Sequence, residues 1–493
     1  MAAGIVETRY GKIQGFEQKG IQVWKGIPYA QPPLGPLRFR APQPPQAWSG
    51  VRETKKFGPN AAQPNDALGG FLGGMSTPPP SSEDCLYLNI WSPGADQQKR
   101  PVLVWIHGGA FVAGSGSEPW YNGDSFARNG DIVVVTINYR LGALGFLYLG
   151  ELGGEEYASS ANCGLQDQIA ALEWVRDNIE SFGGDPANVT IAGESAGAMS
   201  IGALLAAPRA QGLFQRAILE SGAAHNVLSR DTAAGMTHAF LKHLDLSQTQ
   251  LSALESLPVA RILEAQQLNS RSTLGGPVID GTVIPDSPLE MIAAGSAAQV
   301  SLLIGTNRDE ARLFSLLSGR EPKVNHAELE RLFGTAGPEV FATYLQARDD
   351  HSEPYAWMDI VTDRTFRIPA LRLVEKQLSH TSSVWVYRFD WPSPAFGGRL
   401  GACHALEIPF AWNTLDAEMS QLFIEESPAA QPIAATMHAV WIAFIRSGNP
   451  QTPQLPAWPG YQLTQRSTML FHEHNQLTQD PQSVERQYWE NII

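Results

Sequence analysis

Two short stretches carry residues whose types and spacing could perform acyl transfer. In IAGESAGAMS, residues 191–200, Ser195 stands between Gly193 and Gly197. The apolar run NVTIAGE (188–194) before it reads as a strand, and SAGAMSIGALLAA after it opens as a helix. A GxSxG sequence on such a strand-to-helix turn is an elbow: glycines let strand and helix approach while the serine takes a strained backbone conformation. The turn lifts the hydroxyl above the sheet edge and leaves the Ala196 N–H at a helix N-terminus, where donors are unsatisfied. The second stretch, HGGAF (107–111), directly follows PVLVWI (101–106). Glycine-rich backbone there supplies N–H groups where a carbonyl oxygen becomes negative, and a loop of this type is the usual partner of the elbow. Either stretch alone also fits an ordinary tight turn, so the pair carries the reading. His107 reads as a residue that orients its loop rather than one that moves protons.

These groups need a scaffold, and the chain supplies one. PVLVWIH (101–107), DIVVVTINY (131–139), NVTIAGE (188–194), RAILES (216–221), VSLLIGT (300–306) and SVWVYRF (383–389) are nearly continuous in large apolar and β-branched residues. Strands covered on both faces read this way. Between the second and third lies CGLQDQIAALEWVRDNIESF (163–182), in which Leu165, Ile169, Leu172, Val175 and Ile179 recur every three or four residues until Gly183, Gly184 and Pro186 stop the pattern. That is a helix with one buried stripe, and its alternation with strands predicts a mostly parallel α/β sheet. A length of 493 residues would suit about three domains at roughly 150 residues each. No repeat or low-complexity linker divides the chain, however, so a single domain over 1–493 with insertions is expected. Two Gly- and Pro-rich stretches, 64–82 and 391–402, read as long loops, which in compact domains more often form lids or pocket walls than linkers.

Composition narrows the partners. A formal charge of −14 offers no basic footprint for nucleic acid or an anionic lipid surface. No run approaches the roughly 18 apolar residues of a membrane span. MAAGIVETRYGKIQG lacks the basic region and apolar core of a secretory signal. Cys85, Cys163 and Cys403 cannot all pair. A reduced, cytoplasmic protein is expected, with small-molecule substrates, no nucleic acid or membrane partner, and a monomeric state with oligomers left open. A mature domain whose signal has been removed is the alternative. His472 and His474 around Glu473 fall short of a metal site, lacking third and fourth ligands.

The motifs resemble, in order and almost end to end, the type-B carboxylesterase and cholinesterase family of the α/β-hydrolase fold, within it the bacterial para-nitrobenzyl esterase kind. The matching segments are WKGIPYAQPPLGPLRF (24–39), SEDCLYLNIWSP (82–93), NYRLGALGF (138–146), GLQDQ (164–168), FGGDPANVTIAGESAGA (182–198), TNRDEARLF (306–314), GACHALEIPF (401–410) and SGNP (447–450). The resemblance implies a mostly parallel central sheet flanked by helices, with long loop and helical insertions around the site. It implies a serine carboxylesterase that uses neither cofactor nor metal. On the matching positions the nucleophile falls on Ser195, the acid on Glu310 and the general base on His404. The oxyanion donors fall on the N–H groups of Gly109, Ala110 and Ala196, with Gly108, Glu194 and Ser221 in support. The order Ser, Glu, His is that expected of this fold. From the residues alone, the acid role stays open between Asp309 and Glu310. Glu194 and Ser221 read nearly as well as ordinary buried polar residues.

Departures from the family pattern sharpen the expectation. Ala61 stands where secreted members carry the cysteine that would pair with Cys85, which leaves Cys85 free. The loop before EDCL offers Met75 and no Trp, which removes the cation–π case for choline esters. Asn188 heads an NVT sequon but opens a strand expected to be buried. The favoured activity is hydrolysis of short- to medium-chain esters. Carbamate or activated-amide hydrolysis would use the same triad, and a non-catalytic adhesion or scaffolding role is the alternative of another class. Pocket size should depend on 64–82, on the segment around Phe314 and on 391–402. GGAF belongs to the GGG(A)X class of oxyanion loop, for which the resemblance implies access for tertiary-alcohol esters.

Overall fold

The computed structural model describes residues 4–64, 79–268, 276–425, 427–490 and 492. Among the described residues the main sheet has eleven strands: β1 (Phe16–Gln18), β2 (Ile21–Pro28), β3 (Tyr87–Ser92), β4 (Arg100–Ile106), β5 (Val133–Ile137), β6 (Gly184–Glu194), β7 (Arg216–Glu220), β8 (Ser301–Asn307), β9 (Val384–Phe389), β10 (Ser467–Phe471) and β11 (Gln476–Gln479). The spatial order is β11-β10-β9-β8-β7-β6-β4-β5-β3-β2-β1. From β10 to β5 all neighbours are parallel, and the outer pairs are antiparallel. This is the expected α/β-hydrolase arrangement, with antiparallel margins that the apolar runs did not reveal.

The strands from β2 to β9 feed two cores. In β4, Val102, Val104 and Ile106 join the cluster that holds Leu165, Ile169, Leu172 and Val175 of helix α1 (Cys163–Asn178). Leu103 and Trp105 join the opposite one, with Met437, Val440, Trp441 and Phe444 of a C-terminal helix (Ala430–Ser447). Burial on both faces explains why these strands are continuously apolar, and each such side chain contributes about 1.5–3 kcal/mol. The helix expected over 163–182 is α-helical to Asn178 and ends in a tighter turn, Ile179–Phe182, closed by Gly183 at φ +80°.

The sheet order also decides where a site can form. β4 is flanked by β5 on one side and β6 on the other, so the chain changes direction there and leaves a crevice outside the strands' carboxyl ends. HGGAF leaves β4 at that crevice and Ser195 leaves β6 beside it.

The two predicted loops differ. Residues 65–78, with Met75, lie outside the described residues, while Ser81–Ser82 pair with Asn60–Ala61. Residues 391–402 are less irregular than expected: they hold a short 3-10 turn, Ala395–Gly398, and a bridge between Ser393 and Gly401. Asn188 lies inside β6 rather than at its start, its side chain engaged by Arg216. Cys85, Cys163 and Cys403 are buried free thiols. Among the described residues, no helix is long and apolar enough to cross a membrane.

Candidate active site

Ser195 occupies the turn between β6 and helix α2 (Ala196–Leu204) at φ +55°, ψ −123°, a conformation that side chains rarely adopt. Its N–H donates to the Glu220 carbonyl at 2.9 Å, and its own carbonyl accepts from Met199 N–H at 2.8 Å, the first bond of the helix. The glycines are needed for space. A Cβ on Gly197 would lie 2.0 Å from the Ile106 carbonyl oxygen, and one on Gly193 would lie 2.6 Å from it. A Cβ on Gly108 would meet Glu194 Oε2 at 2.8 Å and Ser195 Cβ at 3.2 Å, so the loop after β4 rests directly on the elbow.

That loop runs through three successive positive φ angles, +104° at Gly109, +53° at Ala110 and +62° at Phe111. The Gly109 carbonyl is turned back into the loop, accepting from Val112 N–H at 3.0 Å and Ala113 N–H at 2.9 Å. Among the described residues, the N–H groups of Gly109, Ala110 and Ala196 have no acceptor. His107 braces the loop from below: it stacks on Tyr139 with centroids 4.4 Å apart, and its Nδ1 lies 2.8 Å from the Gly108 carbonyl. Burial lowers its pKa to about 4, so it is neutral at pH 7.

Glu310 follows β8 and opens helix α3 (Ala311–Ser318). Its Oε1 accepts from Asn307 N–H at 2.7 Å and from Ser221 Oγ at 2.6 Å, and its Oε2 lies 2.6 Å from His404 Nδ1. Phe314 and Phe366 hold the imidazole at centroid distances of 5.0 Å and 4.8 Å. Phe366 comes from a π-helical turn, Asp363–Arg367, an irregularity frequent at functional sites. The adjacent candidate, Asp309, turns the other way, to the backbone of Ala402.

The residues expected from the sequence therefore converge, with one departure. His404 Nε2 lies 3.0 Å from Glu194 Oε1, and that oxygen has no hydrogen-bond partner. Among the described residues, Ser195 Oγ forms no hydrogen bond with His404. Catalytic hydrogen bonds are often long before substrate binds. Burial, with Glu310, Glu220 and Glu118 nearby, raises the Glu194 pKa well above its ordinary value.

Several residues here escaped the sequence reading. Burial raises Glu220 to about 8 even though Trp441 Nε1 donates to it at 2.8 Å. Burial first, then Glu194, Glu310 and Glu220, raises Glu407 well above its ordinary value. Asn307 donates from Nδ2 to Glu407 and, at 2.7 Å, to the Cys403 carbonyl. Ser221, which the resemblance did place in support, sits at φ +52° and reaches both Glu310 and Glu407. The available signals were an acid closing the apolar run RAILE and another three residues after His404. Among the described residues, no group of three or more His, Cys, Asp or Glu side chains could hold a metal ion.

The model of the carboxylesterase family matches residues 2–489. The chain belongs to that family. This carboxylesterase is 41% identical to the para-nitrobenzyl esterase of Bacillus subtilis, across 99% of this chain and 98% of that protein. It is 37% identical to a phenmedipham hydrolase of Pseudarthrobacter oxydans, across 94% of each. Its structure is similar to that of a Geobacillus stearothermophilus carboxylesterase, with a TM-score of 0.90 and 43% identity over 99% of this chain and 100% of that one. The carboxylesterase is thus a carboxylic ester hydrolase of the α/β-hydrolase fold.

Proposed function

We propose that this esterase cleaves short- to medium-chain carboxylic esters through an acyl-enzyme formed on Ser195. His404 Nε2 takes the Ser195 proton as Oγ attacks the carbonyl carbon, and returns it to the departing alkoxide when the C–O bond breaks. Water, deprotonated by the same nitrogen, then releases the acid. Glu310 holds Nδ1–H and so keeps Nε2 free to accept. The N–H groups of Gly109, Ala110 and Ala196 receive the oxyanion. Gly108 allows the loop to rest on the elbow, Ser221 supports Glu310 from behind, and Glu194 lies beside Nε2, the face of the imidazole that meets the serine. The observation that carries this reading is the 2.6 Å contact of His404 Nδ1 with Glu310 Oε2 at the same sheet edge as a serine held at φ +55°. Titration with an organophosphate tests it: the parent should lose all activity at one equivalent, and Ser195→Ala should take up none.

Tertiary-alcohol esters belong to the same proposal. Gly109 turns its carbonyl into its own loop, which leaves room beside the reacting carbon. Turnover of tert-butyl acetate above a Ser195→Ala blank is expected; activity at blank level, with a primary acetate cleaved readily, would close the pocket to bulky alcohols. Phenmedipham, named by one relative, is the substrate with which to test carbamates and activated amides against esters. We further propose that residues 1–493 act as one domain, as a monomer in a reducing, bacterial cytoplasm, in keeping with three unpaired thiols.

A further inference from the structure

The base sits on a stretch with little regular structure between β9 and the turn Ile408–Ala411, yet a general base must be held to a fraction of an ångström. The acid turn, residues 307–310, supplies the restraint. Asn307 binds the Cys403 carbonyl and Glu310 binds the imidazole. Asp309 binds between them in sequence but one step earlier on the loop. Its N–H donates to the Ala402 carbonyl at 2.8 Å, while its Oδ2 accepts from Ala402 N–H at 2.9 Å. Both polar groups of one backbone residue are thus held by a single partner, like a rung of a sheet with one rail made by a side chain.

The carboxylate is itself fixed. Arg312 Nη2 lies 2.7 Å from Oδ1, and Arg308 Nε lies 3.2 Å from Oδ2. The Arg312 guanidinium is packed 4.2 Å from the centre of the Tyr355 ring. The loop is cut to fit: Gly401 has φ +59°, and a Cβ there would lie 2.5 Å from Asp309 Oδ2 and 2.8 Å from Arg312 Nη1. Asp309 is 2% exposed, so its charge is placed at a cost that a solvent-facing anchor would avoid.

We propose that Asp309, clamped by Arg312, is a positioning residue for the reaction: it sets the register of Ala402 and thereby the approach of His404, two residues on, to Glu310 and Ser195. The inference rests on the assignment of His404 as base. Displacements of about 1 Å cost on the order of 10²-fold in rate, which sets the scale of the effect.

The test measures kcat per organophosphate-titrated site, and KM, for Asp309→Ala, Asp309→Asn, Arg312→Gln and Gly401→Ala. Asp309→Ala should lower kcat per titrated site by about 10- to 100-fold with KM within about twofold. Asp309→Asn, whose amide oxygen can still accept from Ala402 N–H, should recover part of the loss, and Gly401→Ala should reproduce it from the other side of the contact. A purely structural role would lower the yield of titratable sites and leave turnover per site unchanged, and that result overturns the proposal. Should Asp309→Ala not fold, parental turnover per site in both Asp309→Asn and Arg312→Gln overturns it equally. His404→Ala serves as the control: if it keeps parental activity, the base assignment fails, whereas an inactive His404→Ala beside a fully active Asp309→Ala removes only the clamp.

Discussion

The proposed nucleophile and the proposed base are held by opposite means. On the side of Ser195, close approach of backbone to backbone does the work: Gly193, Gly197 and Gly108 are places where a methyl group has no room. On the side of His404, side chains reach across to the loop: Asn307 and Asp309 bind its backbone and Glu310 binds the imidazole itself. Surroundings differ in the same sense. The elbow lies over tightly packed apolar strands, whereas Asp309 and Arg312 border a cavity of about 310 Å³ that also exposes Arg308, Arg348, Asp350 and Asp359. Steric fit tolerates no substitution, while a set of polar contacts can lose one member and keep the others.

The comparison can be broken first at the chemistry. Ser195→Ala and His404→Ala should each lower kcat by about 10⁴-fold or more, and the double variant should be scarcely worse, because the groups act as one unit. Additive losses in steady-state assays would separate the two halves chemically as well as structurally. Next in size is the acid turn, where Glu310→Gln should cost on the order of 10⁴-fold in kcat and Asp309→Asn about tenfold. The reverse order would move the acid role to Asp309.

On the steric side, Gly197→Ala places a methyl group against the Ile106 carbonyl, which cannot move without shifting β4. It should lower kcat about 100-fold and reduce the yield of folded protein, as judged by near-UV circular dichroism; parental activity would show that the elbow has slack. The smallest effect concerns protons. Burial raises Glu220 to about 8 in the folded state, above its unfolded value of about 4.5, so folding binds the proton more tightly. The resulting stabilisation is complete below about pH 4.5 and is lost as pH rises through about 8. Glu220→Gln keeps an acceptor for Trp441, so its melting temperature should fall less between pH 5 and 9 than the parent's, by about a degree or two. Parallel melting curves would mean that Glu220 is not held in its protonated form.

The two halves also differ in how far they can be read from sequence. The elbow and the oxyanion loop are short local patterns that a narrow window of sequence reveals, even though the clashes their glycines avoid lie on the neighbouring segment, Gly193 and Gly197 against the Ile106 carbonyl and Gly108 against Glu194 and Ser195. Asp309 and Glu310 are adjacent acids, both buried, and only the direction each takes from the turn distinguishes them. That direction depends on a loop nearly 100 residues downstream, and the resemblance, not the spacing, pointed to Glu310. Glu220, Glu407 and Asn307 went unmarked in the sequence because their side-chain partners come from distant strands and loops. Phe366 escaped because a π-turn leaves no periodic mark. The central strands were visible as apolar runs; the antiparallel margins were not, since strands such as Phe16–Gln18 and Gln476–Gln479 are short and largely exposed.

From β6 to β10 the strands lie side by side in the order in which the chain is made. A ribosome adding about 5–20 residues per second completes the strand carrying Ser195 roughly 10–40 s before it reaches His404. During that interval the nascent chain can hold a finished elbow and the glycine loop after β4 but not the proposed base. With His404 as the proposed base, ester-cleaving power arrives late and all at once, when the last third of the chain docks. Premature termination anywhere before residue 404 yields a chain without the base, and no graded series of partly active fragments is expected.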